Sequence, residues 1–209
     1  MAFRRKSGES KEEIPLKNAG RTLYRRKKLK PAFFHSEADV VARKLIGVIL
    51  VRTIAGVRRA ARITETEAYV GAHDLACHAS KGRTRRTEIM FGPPGYAYVY
   101  LIYGMYHMLN IVTGEVGDPQ AVLLRGAVAL HGWHVDLSGP GRLARAFAIT
   151  MADRGLDMTG DDLYLIKNHE NKPRIITTPR IGIDYAGEWK HAPLRFVDEA
   201  WHRQSEGLV

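Results

Sequence analysis

Two acidic residues and a tyrosine alternate along a strand-like segment in the first half of the chain. Glu65, Glu67 and Tyr69 are spaced two apart in RITETEAYV, residues 62–70. Because the side chains of a strand alternate between its two faces, these three are predicted to share one face with Ile63. A desolvated carboxylate there could act as a general base that activates water. Two acids on a solvated sheet face would only aid solubility, and the strand alone leaves both interpretations open.

A single arginine interrupts a second apolar segment. Arg125 stands in AVLLRGAVAL, residues 121–130, with apolar residues on both sides. A buried charge without a partner is costly, so we expect a glutamate from a neighbouring strand to pair with Arg125. Such a pair could be structural, or it could hold one water molecule between carboxylate and guanidinium.

Tyrosines are concentrated in a predicted β-hairpin between residues 96 and 112. YAYVYLIY alternates with period two, pauses at Gly104 and continues as YHMLNIV. Three tyrosines share one face of its first strand: Tyr96, Tyr98 and Tyr100. Ordinary cross-strand packing also produces such a ladder. Tyr103, beside the predicted turn, has less structural reason to be there and could act as a wedge between base pairs.

Two further features could contact a nucleic acid. Asn110 is a lone amide in an apolar run, where it either hydrogen-bonds within the core or reads the edge of a base. SGPGRLARAFAIT predicts a helix that begins at Pro140 and Gly141, with Arg142 in its first turn. The backbone N–H groups at such a helix start could bind a phosphate.

The segment HDLACH, residues 73–78, contains residue types that bind metals. Its spacing fits no standard zinc pattern and lacks a second pair of cysteines, so we do not predict a metal site there. Cys77 beside His78 resembles a thiol nucleophile with its base. Adjacent side chains usually point apart, which favours a small buried thiol. The chain also lacks the glycine-rich phosphate-binding motifs of nucleotide-dependent enzymes.

Most of the net charge of +10 lies at the amino terminus. Residues 1–30 carry eleven Lys/Arg and three Asp/Glu, which leaves a net charge of only +2 for the other 179 residues. We predict a disordered basic arm that adds salt-dependent affinity for a polyanion, or else an extension without a role. No apolar run reaches the ~20 residues of a membrane span and no secretory signal begins the chain. We therefore expect a cytoplasmic protein without a membrane partner, nucleoid-associated if bacterial and nuclear if eukaryotic.

The remaining pattern predicts one domain after the arm, residues 31–209. A helix follows Ser36 as its cap and ends at Gly47, and two antiparallel strands then turn near Ala55 and Gly56. Further strands are predicted at LYLI, RIITTPRIGI and LRFV. No linker or repeat indicates a second domain.

Several of these segments together resemble a known family. TETEAYVG, CHASKG, MFGPPGYAYVYLIYGMYHMLNIV, AVLLRGA, SGPGRLARAFAI and PRIGIDYAGEW recur in the same order as in the alkyladenine (3-methyladenine) DNA glycosylases. The resemblance covers residues 31–198. It implies an α+β fold in one compact domain, with a curved antiparallel β-sheet flanked by helices and a protruding hairpin.

The resemblance also implies an activity. A monofunctional glycosylase of base excision repair would flip an alkylated or deaminated purine out of double-stranded DNA and hydrolyse its N-glycosidic bond, as a monomer and without cofactor. Glu67 would activate the water, and Arg125 would help to hold it. Contacts to the base would come from five residues: Tyr69, His78, Tyr100, Asn110 and Ile183. Tyr103 would fill the vacated stack, and Asn110 would resist guanine through its exocyclic amine.

The chain departs from the family pattern in the loop before the hairpin. Thr84–Thr87 reads TRRT where bacterial members usually have TPRN, which affects a loop contact made by the asparagine. Two other functions remain open: a catalytically silent nucleic-acid-binding module on the same scaffold, and a metal-dependent hydrolase that uses His73 and His78.

Overall fold

The structure is a computed structural model that describes residues 27–168 and 173–206. For residues 204–206 it describes the backbone alone. Residues 1–26 of the predicted basic arm lie outside the described residues. The last residues of the predicted arm, 27–30, run beside the sheet, where the buried Leu29 donates its backbone N–H to Leu165 O over 2.8 Å.

Within the described residues, eight strands form one antiparallel sheet that curls into a half-barrel. They are β1 (Ile49–Ile54), β2 (Val57–Tyr69), β3 (Ala97–Ile102), β4 (Tyr106–Thr113), β5 (Gln120–Ala129), β6 (Leu163–Ile166), β7 (Ile175–Thr178) and β8 (Arg195–Asp198). The order is β3-β4-β5-β2-β1-β6, and β8 joins β7 to the second half of β2. The 13-residue β2 thus pairs with three strands and is the centre of the sheet.

Helices pack on this sheet, which confirms the α+β fold in a single domain. The α-helices are α1 (Ala38–Leu45), α2 (Pro140–Ala146) and α3 (Glu199–Glu206). Short 3-10 helices span Pro31–Phe33, His78–Lys81, Glu88–Phe91, Met151–Asp153 and Asp184–His191. The sequence patterns did not predict α3 or the helix at Asp184–His191. None of the described helices is long and apolar enough to cross a bilayer.

The predicted cap of the first helix is wrong by one residue. Glu37, not Ser36, is the N-cap, and it makes no side-chain capping bond. The Oε1 atom of Gln120 on β5 accepts the N–H of Ala38 instead, over 2.8 Å. A side chain from a distant strand therefore accepts the free backbone N–H at the helix start, a hydrogen bond that was expected from the local serine.

The main hydrophobic core lies between one face of the sheet and helices α1 and α2. Leu45 of α1, Leu143 of α2 and Phe147 after it are completely buried against sheet residues such as Leu109 and Leu124. Burying one side chain of this size stabilises the fold by ~1.5–3 kcal/mol. This face is filled by packing, so chemistry belongs to the opposite face.

A β-bulge overturns one part of the predicted pattern on β2. The pairing with β5 slips twice, so that Thr64 on β2 and Arg125 on β5 are each extra residues without an opposite partner in the ladder. Ile63 consequently lies in the main core with Ala68 and not on the face of Glu67. The expectation that Ile63 shares that face is wrong, because strict alternation fails across a bulge.

Candidate active site

The candidate site is a row of side chains across four adjacent strands. Glu67 on β2 pairs with Leu123 on β5, which pairs with Asn110 on β4, which pairs with Tyr98 on β3. Directly opposite residues of a sheet point to the same face. The alternation expected within each strand and the register between strands thus bring residues from three separate segments to one surface.

Glu67 is completely buried and its carboxylate is held on both oxygens. Tyr69 donates its hydroxyl to Oε2 over 2.9 Å, and the backbone N–H of Ile181 donates to Oε1 over 2.9 Å. Arg125 Nε lies 3.3 Å from the same Oε1. A carboxylate oxygen can accept two hydrogen bonds, so Oε2 retains one free acceptor position. Oε2 is the oxygen bonded to Tyr69, and Tyr69 lines the aromatic cavity described below.

Burial and neighbouring charges act in opposite directions on Glu67. Burial raises the pKa of its carboxyl above the ordinary value, while Arg125, Ile181 and Tyr69 oppose the rise. Burial alone would lower the pKa of Arg125, but Glu67 and Glu65 outweigh it, so the pKa of the guanidinium is raised. A carboxylate with a raised pKa is a better proton acceptor than a free one.

The predicted partner of Arg125 is present. Glu65 Oε1 accepts Arg125 Nε over 2.9 Å and also Arg195 Nε over 2.6 Å, so one carboxylate holds two arginines. The bulge turns Arg125 into this cluster. Gly126 allows a close approach beside it, because a Cβ there would lie only 3.1 Å from Glu65 Cβ.

A second buried ion pair supports the loop behind Glu67. Both carboxylate oxygens of Asp74 accept from Arg180, at 2.5 and 2.9 Å, and both side chains are fully inaccessible to solvent. The Arg180 guanidinium also lies 4.9 Å from the Tyr69 ring centroid and donates to Ala68 O. Because Ile181 follows in the chain, this pair fixes the backbone N–H that reaches Glu67.

Aromatic rings line a cavity next to Glu67. It has a volume of about 40 Å³, enough for a few water molecules but too small for a purine. Its walls include Tyr69, His78, Tyr98, Tyr100, Asn110 and Tyr185. The His78 and Tyr100 rings touch edge to face, with centroids 4.6 Å apart. Two rings that stack on either side of a base must be roughly 7 Å apart, twice a van der Waals contact.

The tautomer of His78 follows from its two partners. Arg86 Nη2 lies 3.3 Å from Nε2, and a guanidinium can only donate, so Nε2 accepts. Nδ1 therefore carries the hydrogen and donates it to the Tyr98 hydroxyl over 2.8 Å. Burial, together with the charges of Arg86 and Lys81, lowers the pKa of His78 to about 4. His78 is neutral at physiological pH.

Asn110 and Ile183 occupy different positions around the cavity. The Asn110 amide donates to Tyr98 O at 3.1 Å and to Met108 O at 3.4 Å, which fixes the buried side chain as a rigid part of the wall. Ile183 is also buried, but it packs beside Tyr69 in a cluster with Ala76 and Trp189 and does not line the cavity.

Tyr103 lies at the tip of the hairpin between β3 and β4, and its side chain is 82% exposed. Its φ is +51° and that of Gly104 is +70°, as the residues of a tight turn require. A bulky residue is rare in this conformation. Tyr103 is three residues beyond Tyr100, or roughly 10 Å along the strand, so the tip and the cavity are neighbours.

The start of α2 lies against the same hairpin. A Cβ on Gly141 would come within 3.3 Å of the Tyr106 ring, so the helix start and β4 are in close contact. The Arg142 guanidinium bonds to Ser138 O and lies 3.1 Å from Asp136 Oδ2. The predicted phosphate contact at Gly141 and Arg142 stays a prediction.

The potential metal ligands are engaged elsewhere. Asp74 belongs to the ion pair with Arg180, and His73 packs on Trp189 with ring centroids 5.4 Å apart. Cys77 is buried, and burial raises the pKa of its thiol to about 11. No group of three or more possible ligands occurs within residues 27–168 and 173–206.

Sequence patterns missed several residues of this site. Arg86 and the Asp74–Arg180 pair lie in loops and carry no periodic signal, and Tyr185 lies in the short 3-10 helix Asp184–His191 that the sequence patterns did not predict. Tyr98 was expected to belong to an aromatic ladder, but its hydroxyl also orients His78. Arg180 is an isolated charge before an apolar segment, and this was the one sequence feature that could have indicated its buried ion pair.

Known proteins resemble this chain over most of its length. The model of the methylpurine-DNA glycosylase (MPG) family matches residues 32–201. A protein of Anaeromyxobacter dehalogenans named "Putative 3-methyladenine DNA glycosylase" is 51% identical over 171 residues, 81% of either chain. Proteins with the same name from Myxococcus xanthus and Methanocella arvoryzae are each 46% identical, covering 85% and 80% of this chain and 91% and 90% of theirs.

Proposed function

The chain belongs to the methylpurine-DNA glycosylase family, and from this premise we propose that it is a monofunctional DNA glycosylase that removes alkylated or deaminated purines in base excision repair. The reaction is hydrolysis of the N-glycosidic bond of a purine flipped out of the duplex. The observation that carries the proposal is the buried Glu67, whose Oε2 accepts the hydroxyl of Tyr69, a residue that lines the aromatic cavity.

Glu67 acts as the general base. A water molecule donates to the free position on Oε2, and the carboxylate accepts its proton as the oxygen attacks the anomeric carbon of the sugar. The C–N bond breaks, and its electron pair leaves with the purine. Arg125 keeps the carboxylate ionised through its charge and helps to orient the water.

The aromatic residues bind the flipped base. Tyr69 and His78 stack on one side of it and Tyr100 on the other, after the His78–Tyr100 contact opens. Stacking on an aromatic ring contributes ~1–3 kcal/mol per base and offsets a flipping cost of a few kcal/mol. Alkylated purines that carry positive charge are good leaving groups and are attracted to tyrosine faces. The fixed amide of Asn110 resists the exocyclic amine of guanine, and Ile183 supports Tyr69 from behind.

The surface around the cavity supports binding to duplex DNA. The exposed Tyr103 enters the stack in place of the flipped nucleotide. The backbone at Gly141 and Arg142 binds a phosphate beside the hairpin. The basic amino-terminal arm adds affinity that does not depend on sequence.

The test is single-turnover release of base from duplexes that contain 3-methyladenine, hypoxanthine or 1,N6-ethenoadenine, followed by alkaline cleavage at abasic sites. We expect the wild-type protein to release at least one of them in the presence of a chelator, and Glu67→Gln to reduce the rate by ~10²–10⁴-fold while DNA binding persists. Binding without release by the wild type would favour the silent binding module. Loss of activity with the chelator would favour the metal-dependent hydrolase.

The melting temperature of the Glu67→Gln variant controls for a loss of activity that is caused by unfolding. Because the pKa of Glu67 is raised in the folded protein, its stabilising contribution is present below the ordinary pKa and is lost as the pH rises through the raised value. The buried ionised carboxylate is therefore unfavourable at neutral pH, but the neutral amide also removes a charge that stabilises the Arg125 guanidinium, so the melting temperature of the variant is measured beside its activity. A large loss of stability would make the lost activity uninterpretable, and Tyr69→Phe then serves as the second variant.

A further inference from the structure

A guanidinium covers the ring on which the base is proposed to stack. The central carbon of the Arg86 guanidinium lies 5.0 Å from the Tyr100 ring centroid. Its Nη2 lies 3.3 Å from His78 Nε2, so the same group contacts both rings. A cation over an aromatic face is attracted by the ring, and a planar guanidinium also stacks on it.

The position of Arg86 is set by its loop. Thr84 and Thr87 exchange backbone and side-chain hydrogen bonds, including Thr84 N–H to Thr87 Oγ1 at 2.8 Å. Arg154 Nη2 donates to the carbonyl oxygens of Arg85 at 2.7 Å and Arg86 at 3.1 Å. The backbone is thus fixed while the Arg86 side chain reaches over the cavity from an exposed residue.

We infer that Arg86 competes with the flipped base for the face of Tyr100 and so lowers the affinity of the site for every base. This inference rests on the proposed function. Arg86 mimics a planar cation: it stacks on Tyr100 and donates to the neutral His78, and a base must displace it before His78 and Tyr100 can separate. A purine that binds more weakly than the guanidinium remains in the duplex.

Every base must displace Arg86, so each base loses the same amount of binding free energy. The fraction of molecules with a free Tyr100 face multiplies the intrinsic affinity, so removing the competitor increases the apparent affinity for any purine that fits. For a cation–π contact at an exposed side chain the expected gain is about three- to tenfold. Undamaged adenine faces the same cost, so removing the Arg86 side chain should increase its binding by the same factor and leave the ratio between bases unchanged.

The experiment titrates the fluorescent free base 1,N6-ethenoadenine into the wild-type protein, Arg86→Ala and Arg85→Ala. Free base carries no phosphate, so a change in DNA binding does not affect the result. Arg85 is an exposed neighbour with the same charge. Its backbone carbonyl accepts from Arg154, and this hydrogen bond does not depend on the Arg85 side chain. We expect about three- to tenfold tighter binding for Arg86→Ala and no change for Arg85→Ala.

Equal or weaker binding by Arg86→Ala would overturn the inference, and so would the same gain in both variants, which would indicate a general charge effect. Wild-type excision of lesion-containing DNA is measured in parallel. If the wild type releases base but Arg86→Ala binds ethenoadenine no more tightly, the role of Arg86 fails and the proposed function stands. If the wild type releases no base at all, the proposed function fails, whatever Arg86 does.

Discussion

Tyr69 donates its hydroxyl to Glu67 Oε2 over 2.9 Å, so the ring proposed to stack on the base and the proposed general base form one hydrogen-bonded unit. The Arg180 guanidinium lies over the same ring, 4.9 Å from its centroid. Arg180 in turn fixes the loop whose Ile181 N–H reaches the other oxygen of Glu67. In the proposed mechanism, one tyrosine would therefore link water activation to base stacking.

Replacing Tyr69 with Phe should shift the acid limb of the pH–rate profile. The Tyr69 hydroxyl lowers the pKa of Glu67, so its loss raises that pKa further, and activity should disappear at a higher pH as the pH falls. The ring remains, so the rate well above the limb should fall only ~2–10-fold, as expected for one hydrogen bond. The measurement is kcat/KM for base release against pH. An unmoved limb would mean that Glu67 is not the group that titrates.

Breaking the ion pair between Asp74 and Arg180 should destabilise the protein strongly. Arg180→Met leaves a buried carboxylate without its counter-charge, at a cost of ~3–5 kcal/mol in the free energy of unfolding. Adding Asp74→Asn should recover part of the loss, because the remaining group is neutral. Urea unfolding measures both.

The matched control for that pair is Arg83→Met. Arg83 forms an exposed ion pair with Glu88 at 3.3 Å, with both side chains 63% exposed. Such a surface pair contributes ~0–1 kcal/mol. Similar losses for Arg180→Met and Arg83→Met would contradict the structural role assigned to the buried pair.

Replacing Tyr103 with Asn should separate stability from function. Asn adopts positive φ more readily than Tyr, so the melting temperature should stay constant or rise by roughly 2–4 °C, the equivalent of ~1 kcal/mol in a domain of this size. Loss of the wedge should weaken binding and base release for a lesion-containing duplex. Tyr103→Phe keeps the ring and is the control. Unchanged binding and release in Tyr103→Asn would rule out the wedge.

Removing residues 1–26 should weaken DNA binding without slowing the chemical step. This segment carries eight Lys/Arg and three Glu, and the cut spares the buried Leu29. The slope of log K against log salt should become shallower by ~0.9 for each phosphate that the arm neutralises in the full chain. Binding isotherms at several salt concentrations measure the slope, and single-turnover rates at saturating protein are the control. An identical slope would show that the arm neutralises no phosphates.

The sequence by itself predicted most of the strands and the residue types that they present, although RIITTPRIGI forms a strand only over Ile175–Thr178. Period-two alternation carries Glu65, Glu67 and Tyr69 to one face, and the turn at Gly104 exposes Tyr103, because both follow from local backbone geometry. The isolated Arg125 also predicted its glutamate partner, since a buried charge has few alternatives.

Only the tertiary structure decided which distant groups complete the site. The N–H that reaches Glu67 comes from a residue 114 positions away, and the partner of Asp74 lies 106 positions away. The bulge that moves Ile63 into the core and turns Arg125 towards the glutamates depends on the register between two strands, which neither strand encodes alone. Arg86 lies over Tyr100 because Arg154 and two threonines fix its loop, an arrangement without any periodic signal in the sequence.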